Sequence, residues 1–271
     1  MDADQKTARL LMQVSGTLLT SLSSAIAASD LMAKQLERQT GLENAESLAS
    51  QLAMLRRSQF QVLRVADNMK TLASLELNHA YLMKETVDLW QLCADIADAV
   101  RVLVPDIPIT VQPSSDTFLT SCDPELVERL LLNLIANSLR HCQAGEEIRI
   151  QLLRNDDTMQ IILADNGSGI PRETMETLFS DYLRDIDLSD TGRGAGLGLS
   201  VAEAIAKAHG GTLVITAEAE HGTKAVFSLP HAWAGGLHGS RAVYSSNSRF
   251  RAILTALSDV CDFHKFQSPF L

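Results

Sequence analysis

The chain has 271 residues, but no apolar run approaches the ~20 needed to cross a bilayer; the longest, such as LLLNLIAN, are far shorter. The N-terminus, MDADQKTARLLMQ, has no signal-peptide core and no small-residue cleavage site. These absences predict a cytoplasmic protein without a membrane span, any membrane sensor being a separate chain. Concentrated positive charge is missing too. The net charge is −10 and no basic patch stands out, which argues against a nucleic-acid binder. The four cysteines, Cys93, Cys122, Cys142 and Cys261, lie far apart with no C-x-x-C pair. That spacing points to structural thiols, ahead of metal ligation or disulfides.

What is present is ordinary globular material: 46% hydrophobic and 21% charged residues, in a length that suits two domains. Residues 6–38 read as one helix, with apolar residues at Leu11, Val14, Leu18, Leu22, Ala25, Met32 and Leu36. QTGLEN breaks it. A second helix over about 44–77 carries Leu48, Leu52, Leu55, Val62, Ala66, Met69 and Ala73, with Gln59 as the polar exception. Two such helices and a short loop make an antiparallel hairpin over 1–83. A lone hairpin buries one face of each helix. The second apolar stripe therefore suggests a four-helix bundle in a homodimer; packing onto the chain's own second domain is the alternative.

From 84 to 230 the pattern is mixed. TVDLWQLCADIADAVRVLV reads as an amphipathic helix, and ITVQ and TFLTS as short strands. PELVERLLLNLIANSLRHC is a helix opened by Asp123 as N-cap with Pro124 at its first position. EIRIQLLRN with TMQIILAD, and TLVITAEAE with TKAVFSLP, read as two strand pairs, and SVAEAIAKAHGG as a helix ended by glycines. This grouping predicts an α+β class, with an α/β sandwich carrying its helices on one face. Residues 231–271 begin with a small-residue linker and continue into a short helical pattern with Phe250, Ile253, Leu254 and Leu257. Docking on the main body, partner binding and disorder all stay open for it.

Three motifs carry chemistry. DNGSGI, residues 165–170, ends a strand in a turn where backbone can approach a flat ligand; an ordinary Asn-Gly turn is the plain alternative. In RGAGLGLS, residues 193–200, glycines run into a helix starting near Ser200, a setting suited to phosphate. A Rossmann fingerprint lacks its spacing here, and no Walker A sequence occurs. In ERLLLNLIANSLRH, Asn133 and Asn137 are four apart and share a helix face, where amides can help hold a hydrated divalent ion beside phosphates; two surface amides are the plain alternative.

Together, in this order, the motifs resemble the ATP-binding domain shared by histidine kinases, gyrase, the heat-shock 90 chaperones and the MutL mismatch-repair proteins. LLLNLIANSLRH resembles its N box, DNGSGI and GAGLGL its two glycine boxes, and LFSDYLR, with Phe179 and Tyr182, its F box; 183–193 resembles the lid. AHGGTLVITAEAEHGTKAVFSLP follows the domain's usual end. The resemblance implies ATP and Mg²⁺ as cofactors. Asp165 would bind the adenine amino group, and Gly167 and Gly169 would let backbone pass close to the base. Asn137 would coordinate Mg²⁺ with support from Asn133. Arg140 and His141 would lie near the phosphates, and Gly194, Gly196 and Gly198 would form the lid hinge and phosphate loop. Ile170, Leu197 and Leu199 complete the implied ATP set with Phe179.

Other branches place a Glu four residues before the metal-binding Asn, and in the hydrolytic ones it is the general base on water. This chain has Asn133 there, and an amide cannot take a proton at neutral pH. The site thus resembles the histidine-kinase branch, built to hold ATP for transfer. The upstream hairpin is similar to that branch's dimerisation and phosphotransfer module, whose acceptor box best matches Ser15-Gly16-Thr17-Leu18-Leu19-Thr20-Ser21-Leu22. Gly16 stands where the acceptor His belongs, and Thr17 where its acidic partner belongs. Gly offers no nucleophile. Thr17 and Thr20 have hydroxyls but no neighbouring base. Thr20 matches a residue implicated in dephosphorylating the response regulator, but without its acidic companion.

Three readings follow. The first is a histidine-kinase-like ATP-binding protein of two-component signalling, acting by transfer in trans or as a nucleotide-dependent regulator. The second is a pseudokinase scaffold that binds ATP and a partner. The third is an ATPase of the chaperone or repair type, disfavoured by Asn133. Expected partners are a second copy through the hairpin, and a response regulator or sensor kinase in trans.

Overall fold

The computed structural model describes residues 2–38, 45–77, 81–112, 117–155, 157–170, 197–217, 222–231 and 246–267. They fall into two compact units: one from Met1–Leu77 with Val243–Leu271, the other from Asn78–Ala242. Among the described residues no helix is long and apolar enough to cross a membrane.

The helical unit begins with α1 (Asp2–Arg38) and α2 (Ala45–Glu76), packed side by side. Ile26, Ala53, Phe60, Ala66, Leu72 and Ala73 are buried. Gln59, the polar exception in the α2 stripe, is satisfied there: the Ser29 hydroxyl donates to its Oε1 at 3.1 Å. The expected core positions Val14, Leu18, Met32, Leu48, Leu55 and Val62 are instead exposed. The reason is geometric, since each helix of a two-helix hairpin can turn only one face inward.

The C-terminal stretch completes this unit. Helix α6 (Ser246–Ala256) and a 3₁₀ helix (Phe263–Phe266) pack on α2. Ile253, Leu254, Leu257, Cys261 and Phe266 are buried, which resolves the alternatives left open by the sequence in favour of docking. Burying each large apolar side chain is worth about 1.5–3 kcal/mol, enough to hold a helix of three turns that would be marginal alone.

The second unit runs β1 (Glu85–Asp88), α3 (Leu89–Leu103), β2 (Ile109–Val111), β3 (Leu119–Cys122), α4 (Pro124–His141), β4 (Ile148–Arg154), β5 (Thr158–Asp165), α5 (Leu197–Ala208), β6 (Thr212–Ala217) and β7 (Thr223–Pro230). Five strands form one sheet in the order β2-β4-β5-β7-β6, parallel only between β2 and β4, while β1 and β3 make a separate antiparallel pair. Helices α4 and α5 pack on each other and on this sheet. This is the expected α+β architecture. Two boundaries differ from expectation. The helix expected from Thr86 starts at Leu89, because Thr86–Asp88 pair with β3 and Asp88 caps α3 by accepting from the Trp90 N–H at 3.0 Å. The helix expected near Ser200 is formed by Leu197, so Gly198 and Leu199 lie in its first turn.

Asp123 joins three elements. Its Oδ1 caps α4 at the Leu126 N–H, 3.1 Å, and its Oδ2 accepts the Met83 N–H at 2.9 Å. Its own N–H donates to Nε2 of buried His209 at 3.1 Å, while His209 Nδ1 lies 2.8 Å from the Ile205 carbonyl. The ring accepts on one nitrogen and donates on the other, which defines a neutral tautomer. The four cysteines are free thiols, and burial pushes each up to about 12.

Candidate functional site

The site starts from a strand's alternation. In β5 the residues facing inward are Met159, Ile161, Leu163 and then Asp165. The pleat that buries three apolar side chains carries a carboxylate to the same face at the strand's end. The register sets Asp165 opposite Thr223, the first residue of β7. Asp165 Oδ1 accepts the Gly167 N–H at 3.2 Å and the Thr223 N–H at 3.1 Å, and Oδ2 accepts the Ser138 hydroxyl at 2.6 Å. A carboxylate offers about four acceptor positions, so three are taken and one is left for a ligand donor.

Asp165 lines a small cleft that is open to solvent. Its walls are Leu134, Leu163, Leu199, Ile215 and Ala225, with Asn137, Ser138, Asp165 and Thr223 as the polar groups. A flat, largely apolar ligand with an N–H donor on one edge matches this chemistry. Adenine is such a group.

Two glycines are required by contact. A Cβ at Gly167 would lie 2.5 Å from the His141 carbonyl oxygen, beside which the Ser168 N–H donates to that same oxygen at 3.1 Å. A Cβ at Gly222 would lie 2.1 Å from the Asp165 carbonyl oxygen, and Gly222 has φ +109°. The turn after Asp165 is thus held between the end of α4 and the start of β7, which fixes the carboxylate.

Helix α4 supplies the remaining groups. Asn137 is half-buried at the cavity, and its Oδ1 accepts from Arg140 Nη1 at 3.4 Å. Asn133 is buried one turn earlier, with its Oδ1 3.0 Å from where a Cβ on Gly198 would sit. Asn133 and Gly198 therefore meet across the α4–α5 contact. His141 is exposed at the last turn; partial desolvation of its ring, then the Arg140 cation, lower its pKa against the opposing pull of Asp165. Among the described residues no group of three His, Cys, Asp or Glu is arranged to hold a metal.

Of the residues singled out in the sequence, Asn137, Asp165 and Leu199 line the cavity, while Ile170 and Leu197 do not. Gly169 packs against the Gly222 backbone. Phe179, Tyr182, the 183–193 stretch, Gly194 and Gly196 lie outside the described residues. Sequence reasoning missed Ser138 and Thr223, which hold Asp165, and the apolar walls other than Leu199. The available signals were a hydroxyl next to Asn137 and the His-Gly-Thr turn that places Thr223 at the start of a strand.

In the helical unit, Ser15 is buried, Thr17 and Thr20 are exposed, and Thr20 Oγ1 donates to the Gly16 carbonyl at 3.0 Å. A Cβ at Gly16 would meet nothing within 4 Å. There is room at position 16 for a side chain that the sequence does not supply.

Residues 122–232 match the family model described as histidine kinase-, DNA gyrase B-, and HSP90-like ATPase. The chain is similar to the adaptive-response sensory kinase SasA of Microcystis aeruginosa, 27% identical over 80% of this chain and 58% of that protein. It is also similar to two proteins of Escherichia coli: the sensor histidine kinase CusS, 28% identical over 78% of this chain and 43% of that one, and the sensor protein RstB, 31% identical over 72% and 44%. The chain thus spans about half the length of these relatives. Among solved structures, full-length ShkA in complex with AMPPNP shares the fold with a TM-score of 0.63 at 21% identity, covering 83% of this chain and 47% of that one. The Acinetobacter baumannii histidine kinase AdeS does so with a TM-score of 0.54 at 19% identity, over 79% and 96%.

Proposed function

This chain carries the transmitter region of a sensor histidine kinase, including its ATPase domain, and from that premise we propose that it binds Mg-ATP and transfers the γ-phosphoryl group in trans. The observation that carries the reading is the Asp165 carboxylate, fixed by three donors and lining a cleft whose other walls are largely apolar. Asp165 takes the adenine amino group, and Leu134, Leu163, Leu199 and Ile215 cover the base. Asn137 offers an amide oxygen to Mg²⁺, which binds through few protein ligands when phosphates supply the rest. Arg140 and His141 stand at the phosphate end. ATP, when bound, supplies the phosphoryl group; the protein's part is positioning and charge neutralisation.

Asn133 removes the general base a hydrolase would need, so water is not activated from that position. Gly16 removes the nucleophile from the hairpin, and neither α1 nor α2 contains a histidine. The acceptor is therefore an imidazole on another chain, in a sensor kinase or a phosphorelay partner of a two-component pathway. The exposed stripe of Val14, Leu18, Met32, Leu48, Leu55 and Val62 supports a homodimer through the hairpin. Gly16 also favours a second reading, a pseudokinase whose nucleotide state changes partner binding without transfer.

Incubation with γ-labelled Mg-ATP, alone and with a histidine-bearing partner, tests both. Label on the partner only is the expected result. Nucleotide binding with no label on either chain selects the scaffold reading, and rapid phosphate release by the protein alone overturns both in favour of an ATPase.

A further inference from the structure

The contacts between α2 and the C-terminal segment are directional rather than merely greasy. Arg57 reads the end of the segment's helical part, Nε donating to the Ser258 carbonyl at 3.1 Å and Nη2 to the Asp259 carbonyl at 2.9 Å. Arg64 pairs with the Asp259 carboxylate at 3.0 Å, both side chains being 11% exposed. Arg56, fully buried, donates from Nη1 to the Phe266 carbonyl at 2.7 Å and pairs with Asp30 of α1 at 2.8 Å. The Phe266 ring lies 5.5 Å from Phe60, with Arg251 over the other ring's face at 5.7 Å to its centroid. Arginines forked onto carbonyls and an aromatic anchor are the features that dominate specific interfaces.

The placement on α2 matters as well. At about 3.6 residues per turn, positions 56, 57, 60 and 64 fall on nearly the opposite side from Leu48, Leu55 and Val62. The segment therefore leaves the exposed apolar stripe uncovered. Topology adds the last step. The helical unit is discontinuous, made from Met1–Leu77 and Val243–Leu271, and the mixed unit is the stretch inserted between them.

We infer that the Arg56-Arg57-Phe60-Arg64 face of α2 is an intramolecular docking site for a helix end bearing an acid and a following aromatic, and that its occupation by residues 246–267 ties the inserted unit to the hairpin at both of its ends. One tether is the chain leaving α2 and the other is the chain returning from β7. Release of the segment converts a two-point attachment into a one-point attachment and widens the excursions of the inserted unit about the hairpin. Any partner protein presenting the same acid-and-aromatic helix end competes for this face. The inference does not depend on ATP as the ligand, and nucleotide affinity is measured separately so that the two readings fail independently.

The test is hydrogen–deuterium exchange with small-angle scattering on the full chain. In the native protein the amides of 250–261 and of 53–66 are expected to be protected together. Asp259→Arg sets like charges against Arg64 and is expected to speed exchange in the segment by at least about tenfold and to enlarge the radius of gyration. Combining Arg64→Asp with Asp259→Arg restores both. Should Asp259→Arg unfold the helical unit, Phe266→Ala, which removes one ring, makes the same comparison. Unchanged exchange in the segment, failure of the charge swap to restore it, or a released segment with unchanged scattering would each overturn the inference.

Discussion

The Thr223 N–H donates to Asp165 Oδ1 across 58 residues of sequence, at 3.1 Å, between the first residue of one strand and the last of its neighbour. This bond and the Ser138 hydroxyl on the other oxygen orient the carboxylate to which the proposed function assigns the adenine amino group. Asp165→Asn replaces an acceptor by an amide that must also turn N–H groups toward these donors. We expect nucleotide affinity to fall about 10–100-fold, the equivalent of a lost charged hydrogen bond. Ser138→Ala is expected to weaken binding only a few-fold. Calorimetric titration with Mg-ATP checks both, and unchanged affinity in Asp165→Asn would remove the adenine assignment.

Two glycines give opposite predictions for one substitution. Gly222→Ala puts a Cβ against the Asp165 carbonyl at a positive φ, and we expect a loss of about 1–3 kcal/mol or more. Gly16→Ala adds a methyl group in open space within α1, and we expect a gain of about 0.5–1 kcal/mol. Urea unfolding measures both. Equal effects at the two positions would contradict the packing described around Gly222.

His209 predicts a pH dependence. Burial, the largest cause, lowers its folded-state pKa below the ordinary 6.5, against the raising effects of the Ile205 carbonyl and Asp123. The unfolded chain therefore binds more protons than the native one below that value. The stability this neutral ring contributes is fully present above pH 6.5 and is lost as pH falls from there toward the lowered folded pKa. Urea midpoints from pH 8 down to pH 5.5 should drop below about pH 6.5. His209→Gln should lower the midpoint overall and flatten that slope; an unaltered slope would assign it to other groups.

Much of this was legible in the residues themselves. Asp123 and Pro124 mark the start of α4 correctly, because a cap acts locally. Alternation of Met159, Ile161 and Leu163 gives both the strand and the inward direction of Asp165. Illegible were the relations set by register and packing. Thr223 reaches Asp165 only because β7 pairs with β5 in that frame. The strand at Glu85–Asp88 was hidden inside a helical pattern because its partner, β3, lies more than thirty residues on. The docking of 246–267 on α2 was equally hidden, since its periodicity shows an apolar face but not what it meets.

The central claim is an ATP site without an acceptor of its own, and labelling Gly16→His beside the native protein tests it most directly. Both are incubated with γ-labelled Mg-ATP and mapped for phosphate on residues 1–77. The account predicts no label on the native hairpin and acid-labile, alkali-stable label at position 16 of the variant. Label on the native hairpin, or none on a variant that still binds ATP, would contradict it.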